Sequence, residues 1–453
     1  MAELLRSALR LHLHDFKRHL RLPFVVPDET AALRVTLTFG PPGVGEIANM
    51  INFSLFSPDG FRGAGHRHGS RHEALIGNDG ATPGFVPGPL TPGDWEVVIH
   101  THMVASMVGG EVVVETLEAG PDAAMLTEPL ESPATVPGAW MMGDLHCHSD
   151  HSDARWTVRE LAEAATARGL NFLALTDHNT TSGRAELSRL APKLLQLPGL
   201  ELTTFYGHAT VLGIDGYLDW TPLDALHGPR ELSQQVAADG GLFTIAHPFS
   251  DGDPVCTGCA WTYFDLRPAG ASHLEVWNGA WNQPQNVQAL EHWYGLLAAG
   301  LRVIATAGSD VHGPEYLPGD GLTCTPTTQD TRTLLSQLRA GNTYLARAAC
   351  LDMEIQTPGG AAMLGSVQPA GRWTVDLKWQ SLPSGSELRL MVDGERRIEP
   401  LSEAGSQTFE LDVERWFNLE LRLPDGELYA LTNPVWATPP RLEPADLRLT
   451  SIR

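Results

Sequence analysis

The first part of the chain alternates apolar and polar positions over short runs, "ALRVTLTF", "INFSLFS" and "DWEVVIHTHM", each bounded by turn signals such as "SPDG", "TPGF", "VPGPL" or "TPGD". Period-two alternation buries one face of a pleated strand, and Gly, Pro and Asp supply the turns between strands. Residues 1–135 are therefore predicted to form an N-terminal β-sandwich domain. From Trp140 to Arg347 the rhythm changes. Strand-like runs "MMGDLHCH", "NFLALTDH", "GLELTT", "GHATVLGI", "GLFTIAHP", "HLEVWNG" and "RVIATAGSD" follow one another, with amphipathic helical periodicity in "TVRELAEAATAR", "PRELSQQVAAD" and "NVQALEHWYGLLAA" between several of them. That order predicts an α/β domain over residues 136–347, a βα barrel or an open parallel sheet. After Cys350, "WTVDLKWQ", "ELRLMVDG", "FNLELRLPDG" and "LYALTN" return to alternation, and a C-terminal β-sandwich domain is expected over 348–453.

Composition narrows the class. A chain of 453 residues is too long for one core, and 42% hydrophobic with 19% charged residues is ordinary for a globular protein. The net charge of −23 argues against nucleic acid or an anionic membrane as a partner. Cys147, Cys256, Cys259, Cys324 and Cys350 are sparse and odd in number, so no disulfide framework is expected. Cys256 and Cys259 form a lone CxxC without the second pair that a structural zinc needs. Charges interrupt the opening "MAELLRSALRLHLHDFKRHL", and no apolar run approaches the ~20 residues of a membrane span, so a cytoplasmic protein is expected.

The chemistry is concentrated in "GDLHCHSDHSD", Gly143 to Asp153. His146 and His148 stand at i and i+2, which on a strand point to the same side, while Cys147 points the other way as a packing residue. Later strand-like runs end in further ligand types: His178, Glu201, His247, and Asp310 with His312 again at i and i+2. At the C-terminal strand ends of a βα barrel such residues converge on one face. His208 opens its run instead of ending it, and would need that strand to enter the site by its N-terminal end.

The ordered motifs "DLHCHSDHSD", "TDHN", "GLE", "GHA", "AHPF" and "GSDVHG" resemble those of the PHP (polymerase and histidinol phosphatase) metallohydrolases, in particular their carbaryl-hydrolase-like branch. The resemblance covers residues 140–347 and implies a distorted (β/α)7 barrel, here flanked by the two β-sandwiches, with two or three divalent ions. Carried over, one ion takes His146, His148, Glu201 and Asp310; a second shares Glu201 and adds His208 and His247; a third uses Asp153, His178 and His312. Ala154 departs from the glycine common at that place, but removes no ligand. "LFSPDGFRGAG" and "ATPGFVPGPLTPGDWEV" look like the N-terminal β-domain that some members of the branch carry. Two-metal amidohydrolases also open with HxH, but bridge their ions with a carbamylated lysine. Lys193, the one lysine of the central region, lies away from a strand tip, which favours Glu201 as the bridge.

Other histidines read differently. His100 and His102 share the HxH spacing but have no partners nearby in sequence, and His66, His68 and His72 read as an exposed loop. His151 reads as a rim residue or a phosphate neighbour, and Asp177 as a residue that orients others. Imidazole and carboxylate ligands suit Zn²⁺, Mn²⁺ or Fe²⁺ alike. Such ions lower the pKa of a bound water and so provide a hydroxide nucleophile. Asp310, His312 and His151 are the candidate proton carriers, and Arg184 and Asn278 the candidate substrate contacts. The favoured reading is a metal-dependent hydrolase acting on a small, anionic phosphate ester. Hydrolysis of a carbamate, carboxylic ester or amide remains open, as does a catalytically silent binding module.

Overall fold

A computed structural model describes residues 1–122, 128–130, 138–314 and 320–437. The boundary expected at 135/136 and the segment 438–453 lie outside these residues. The protein is mixed α/β and built mostly of strands, with five α-helices among the described residues. No helix among them is long and apolar enough to cross a membrane.

The N-terminal region forms two four-stranded antiparallel sheets. Alternation accounts for them: in Ala32–Gly40, Leu33, Val35, Leu37 and Phe39 are buried while the residues between them are partly exposed. These side chains meet Phe53, Leu55, Val97 and Ile99 of the other sheet in one apolar cluster.

Seven strands carry the central region: β1 (Trp140–Cys147), β2 (Phe172–Leu175), β3 (Gly199–Thr203), β4 (His208–Leu212), β5 (Leu242–Ile245), β6 (His273–Asn278) and β7 (Ile304–Gly308). They fall into two sheets and are not uniformly parallel. β1 runs parallel to β2, and β5 to β6 to β7, but β4 is antiparallel to both β3 and β5. Only residues 204–207 join β3 to β4, too few for the crossover that parallel strands require. The hairpin pairs Thr203 with His208 and so brings the start of β4 to the end of β3, as the position of His208 demands. Single bridges, His178 to Glu201 and Cys147 to Val311, connect the two sheets at the same end.

β1 also pairs with Leu322–Pro326, which pairs with Tyr344–Ala346, and that strand in turn with Leu428–Thr432. The ten-stranded sheet therefore crosses residues 347/348 without an edge. Burial follows the same continuity, since Leu345 shares a cluster with Trp416, Leu428 and Leu431. Alternation within a run shows that it is a strand, but not which open edge it joins.

Candidate metal centre

β1 delivers His146 and His148 fully buried. Asp144 sets their approach: its Oδ1 accepts the backbone N–H groups of His146 and Ser309, tying β1 to the end of β7. Burial pushes the Asp144 carboxyl up to about 6, against the hydrogen bonds from Ser309 and His146. Asp177 holds the next turn, accepting from the Ser149 N–H and from the Ser149 and Ser152 hydroxyls, all at 2.8 Å. That turn carries Asp153.

Glu201 is the hub. Its Oε1 lies 3.4 Å from His146 Nε2, 3.3 Å from His208 Nδ1 and 3.2 Å from His247 Nε2; its Oε2 lies 2.6 Å from His178 Nδ1. Asp310 Oδ1 approaches His146 Nε2 at 3.3 Å and His148 Nε2 at 3.0 Å. Asp153 Oδ1 stands 3.3 Å from both His178 Nε2 and His312 Nε2. Ligand atoms converge in three sets: His146, Glu201 and His247; His146, His148 and Asp310; His148, Asp153, His178 and His312. The sharing differs from the expected one: Glu201 is absent from the set of His146, His148 and Asp310, His146 stands beside Glu201 and His247 where His208 was expected, and the third set adds His148.

Outer partners aim the rings. His146 Nδ1 faces Glu275 Oε1 at 3.0 Å, His247 Nδ1 the Cys259 carbonyl at 3.2 Å, and His312 Nδ1 the Asp310 carbonyl at 2.8 Å. An Nδ1–H donated outward leaves the Nε2 lone pair turned inward, the form a metal needs. Several inward atoms are buried without any hydrogen bond: His146 Nε2, His148 Nε2 and Asp153 Oδ1. Orphaned buried atoms of this kind are costly unless something else binds them, and imidazole and carboxylate donors match a divalent cation. Backbone strain accompanies two ligands, since His247 (φ 26°) and Asp310 (φ 50°) occupy positive φ without being glycine.

Charge complements the geometry. Burial alone would raise Glu201, but His178, His146 and His208 hold it well below the usual carboxylate range. Burial likewise opposes the shift at His146, which Asp310, Glu275 and Glu201 push well above an ordinary imidazole. His312, also against the effect of burial, is raised to about 9 by Asp153 and Asp310. His148 is driven down to about 4 by burial and by the His312 and His178 imidazoles. A cation that binds here displaces protons from His146 and His312, the raised imidazoles of this set, so binding releases protons.

Of the remaining sequence candidates, Asn278 alone touches the centre. His151, expected at the rim, is buried and faces away: Nδ1 lies 2.7 Å from Ser182 Oγ and 3.3 Å from the Gly84 N–H, and Nε2 is 3.6 Å from Glu186. Arg184 donates to Asp215 Oδ1. Asn278 donates its amide to Glu275 Oε2 and Asp310 Oδ2, so it braces carboxylates of the centre. Lys193 is exposed. Sequence reasoning missed Glu275, buried between His146 and the His247 N–H; its one signal was an acid inside the apolar run "HLEVW".

Two expectations are corrected. Cys256 and Cys259 are joined as a disulfide, while Cys147, Cys324 and Cys350 are free and buried. Gly258 between the bonded pair sits so close to His208 that a Cβ there would meet Nε2 at 3.0 Å. The His66–His72 segment is not an exposed loop: His66 and His72 are buried, because residues 60–65 and 71–77 are strands and the His66 ring packs 4.5 Å from that of His178. His68 alone is exposed as expected, its side chain at 76%. His100 and His102 are buried beside Trp220, and His102 also beside Phe205, with no carboxylate against them in the described contacts.

Part of this centre lies in a stretch that is similar to known proteins. Residues 144–219 match the PHP domain. An uncharacterized protein of Methanocaldococcus jannaschii is 28% identical over 151 residues, 30% of this chain and 82% of that protein. A 3',5'-nucleoside bisphosphate phosphatase of Chromobacterium violaceum is 42% identical over 78 residues, 16% of this chain and 27% of the phosphatase. A 5'-3' exoribonuclease of Haemophilus influenzae is 41% identical over 63 residues, 14% of this chain and 23% of the nuclease. The chain thus spans only about a quarter of the two named enzymes. The stretch that matches the family begins within the strand that carries His146 and runs past Glu201 and His208: over residues 144–219 the chain carries a PHP domain.

Proposed function

We propose that the protein is a metal-dependent phosphoesterase acting on a small anionic phosphate ester, with two to three divalent ions (Zn²⁺, Mn²⁺ or Fe²⁺) at this centre. The observation that carries the reading is the convergence of His146, His148, His178, His208, His247 and His312 on Glu201, Asp310 and Asp153. In this reading β1 to β7 form the distorted (β/α)7 barrel and the outer sheets its flanking β-sandwiches, with domains at 1–135, 136–347 and 348–453. Support comes from the bridges that link His178, just beyond β2, to Glu201 in β3, and the end of β1 to Val311 after β7. Bound divalent ions supply Lewis acidity, activating a water and offsetting charge on phosphoryl oxygens.

The chain's own residues do the rest. Glu201 gathers His146, His178, His208 and His247 around one carboxylate that would hold the ions with them, and Glu275 and Asn278 keep His146 and Asp310 aimed inward. The centre opens toward His312, whose side chain is 36% exposed, and Asp310, at 20%; these two are the proton carriers of this reading. With Glu275 the centre holds four carboxylates and a formal −4, so three divalent ions leave it positive and two leave it neutral within a chain of −23. One unit charge at ~4 Å is worth about 4 kcal/mol at an effective dielectric of 20, enough to favour an anion against a distant, salt-screened surface.

A paired assay tests this at fixed metal, pH and salt. The expected result is a kcat/KM for nitrophenyl phosphate above that for the acetate or carbamate, with competitive inhibition by inorganic phosphate. Faster turnover of the carbamate without phosphate inhibition would overturn it and place the chemistry with the carbaryl-hydrolase-like branch.

A further inference from the structure

The N-terminal sheets reach the metal centre. In "GHRHG", His66 and His68 stand at i and i+2 beyond the strand Gly60–Gly65, the same spacing as His146 and His148. His66 packs its ring on that of His178 at 4.5 Å and on that of His102 at 4.8 Å. His68 Nε2 lies 3.9 Å from Asp153 Oδ2, while Asp153 Oδ1 faces His178 and His312. His68 therefore stands on the solvent side of the same carboxylate that the centre uses from within.

The segment is anchored on both sides. The Arg67 N–H donates to Asn52 Oδ1, and its guanidinium to the carbonyls of Pro83 and Asp150, the latter in the turn that carries Asp153. Nearby, the Gly84 N–H donates to Ser182 Oγ and the Gly84 carbonyl accepts from the Thr180 hydroxyl. Gly84 adopts φ +94°, and a Cβ there would lie 2.6 Å from the Ala64 carbonyl and 2.7 Å from that of His151. Such contacts fix the position of a loop that local sequence would leave free.

We propose that the N-terminal segment Gly65–His68 completes the active site: His68 contacts the substrate's anionic oxygens beside Asp153, and His66 is a positioning residue for His178. The first half rests on the phosphoesterase reading. An imidazole N–H suits phosphoryl oxygens, and among the described residues near this carboxylate His68 and His312 are the open imidazoles. The second half is steric. With its ring against His178, His66 limits where that ligand can turn.

The full chain, loaded with Mn²⁺ or Zn²⁺, is compared with His68→Ala, His68→Gln, His66→Ala and His66→Phe. His68→Ala should keep the metal content and raise both KM for nitrophenyl phosphate and Ki for inorganic phosphate about 10-fold, with a smaller change in kcat. His68→Gln, which keeps an N–H donor, should recover part of that loss. His66→Ala should lower metal affinity about 10-fold, and His66→Phe, which keeps a ring, should restore most of it. Unchanged KM and Ki in His68→Ala overturn the substrate contact, and unchanged metal affinity in His66→Ala overturns the positioning role. If wild type neither binds phosphate nor cleaves the phosphoester, the proposed function fails. His68 is then read on KM for the nitrophenyl acetate or carbamate that is cleaved, and its half falls if that KM does not move or neither ester is cleaved. The His66 arm is read from metal affinity in every case.

Discussion

Two groups of histidines lie side by side in this molecule, and they differ in what surrounds them. His146, His178, His247 and His312 face Glu201, Asp310, Asp153 or Glu275 at distances between 2.6 and 3.9 Å. His19, His66, His100 and His102 face one another, Phe205, Trp220 and the Ser54 hydroxyl. The carboxylates raise the first group above an ordinary imidazole despite burial. Burial without such partners drives the second group down, His19 to about 4 and His66, His100 and His102 well below the ordinary value. Density of histidine is common to both. Contact with carboxylates separates the centre from the packed interface, although His148 and His208 of the centre stay lowered because burial, with neighbouring imidazoles, outweighs Asp310 and Glu201.

The largest break in that comparison should come from Glu201→Ala, which removes the shared carboxylate. Turnover is expected to fall by on the order of 10³, with ions lost from more than one position, read by steady-state kinetics and elemental analysis. Retention of full metal content would mean that imidazoles alone hold the ions. Glu275→Gln keeps shape and loses charge at the outer partner of His146; metal affinity should weaken about 10- to 100-fold in competition with a chelator. On the other side of the comparison, His102→Ala should leave metal content unchanged and cost about 2 kcal/mol in denaturant-measured stability, since its ring packs on Phe205 and Trp220.

The smallest effect is one of pH. Burial places His19 and His72 at about 4, below an unfolded value near 6.5, so between those values the unfolded chain binds more protons. Their contribution to stability is complete above pH 6.5 and is lost as pH falls toward 4. Melting temperature should drop across that window, and His72→Leu should make the drop shallower. An unchanged slope would show that His72 is not held neutral.

How much was readable follows from how local each signal is. His146, His148, His178, His247 and Asp310 end apolar runs, so each announces itself within a few residues. His208 needed a β3–β4 hairpin that its own run does not specify, although the short 204–207 connection permits little else. Glu275 looks like one acid among strand residues until β1 and β5 bring His146 and His247 against it. The glycines around His66 and His68 read as a free loop, because their partners Pro83, Asp150 and His178 are distant in sequence. Strand alternation after Cys350 correctly indicates β structure, but carries no information about the edge at Tyr344–Ala346 that Leu428–Thr432 joins.

The unbroken sheet also sets an order of assembly. β1 presents His146 and His148, but its antiparallel neighbour is Leu322–Pro326, and the strand after that leans on Leu428–Thr432. On the ribosome the first ligand strand waits for most of the chain to be translated before that side is covered. Pairings of such long sequence separation form slowly. Closure of that side of the strand is therefore late in biosynthesis, complete only when Leu428–Thr432 joins the sheet, long after the last ligand candidate, His312, has been made.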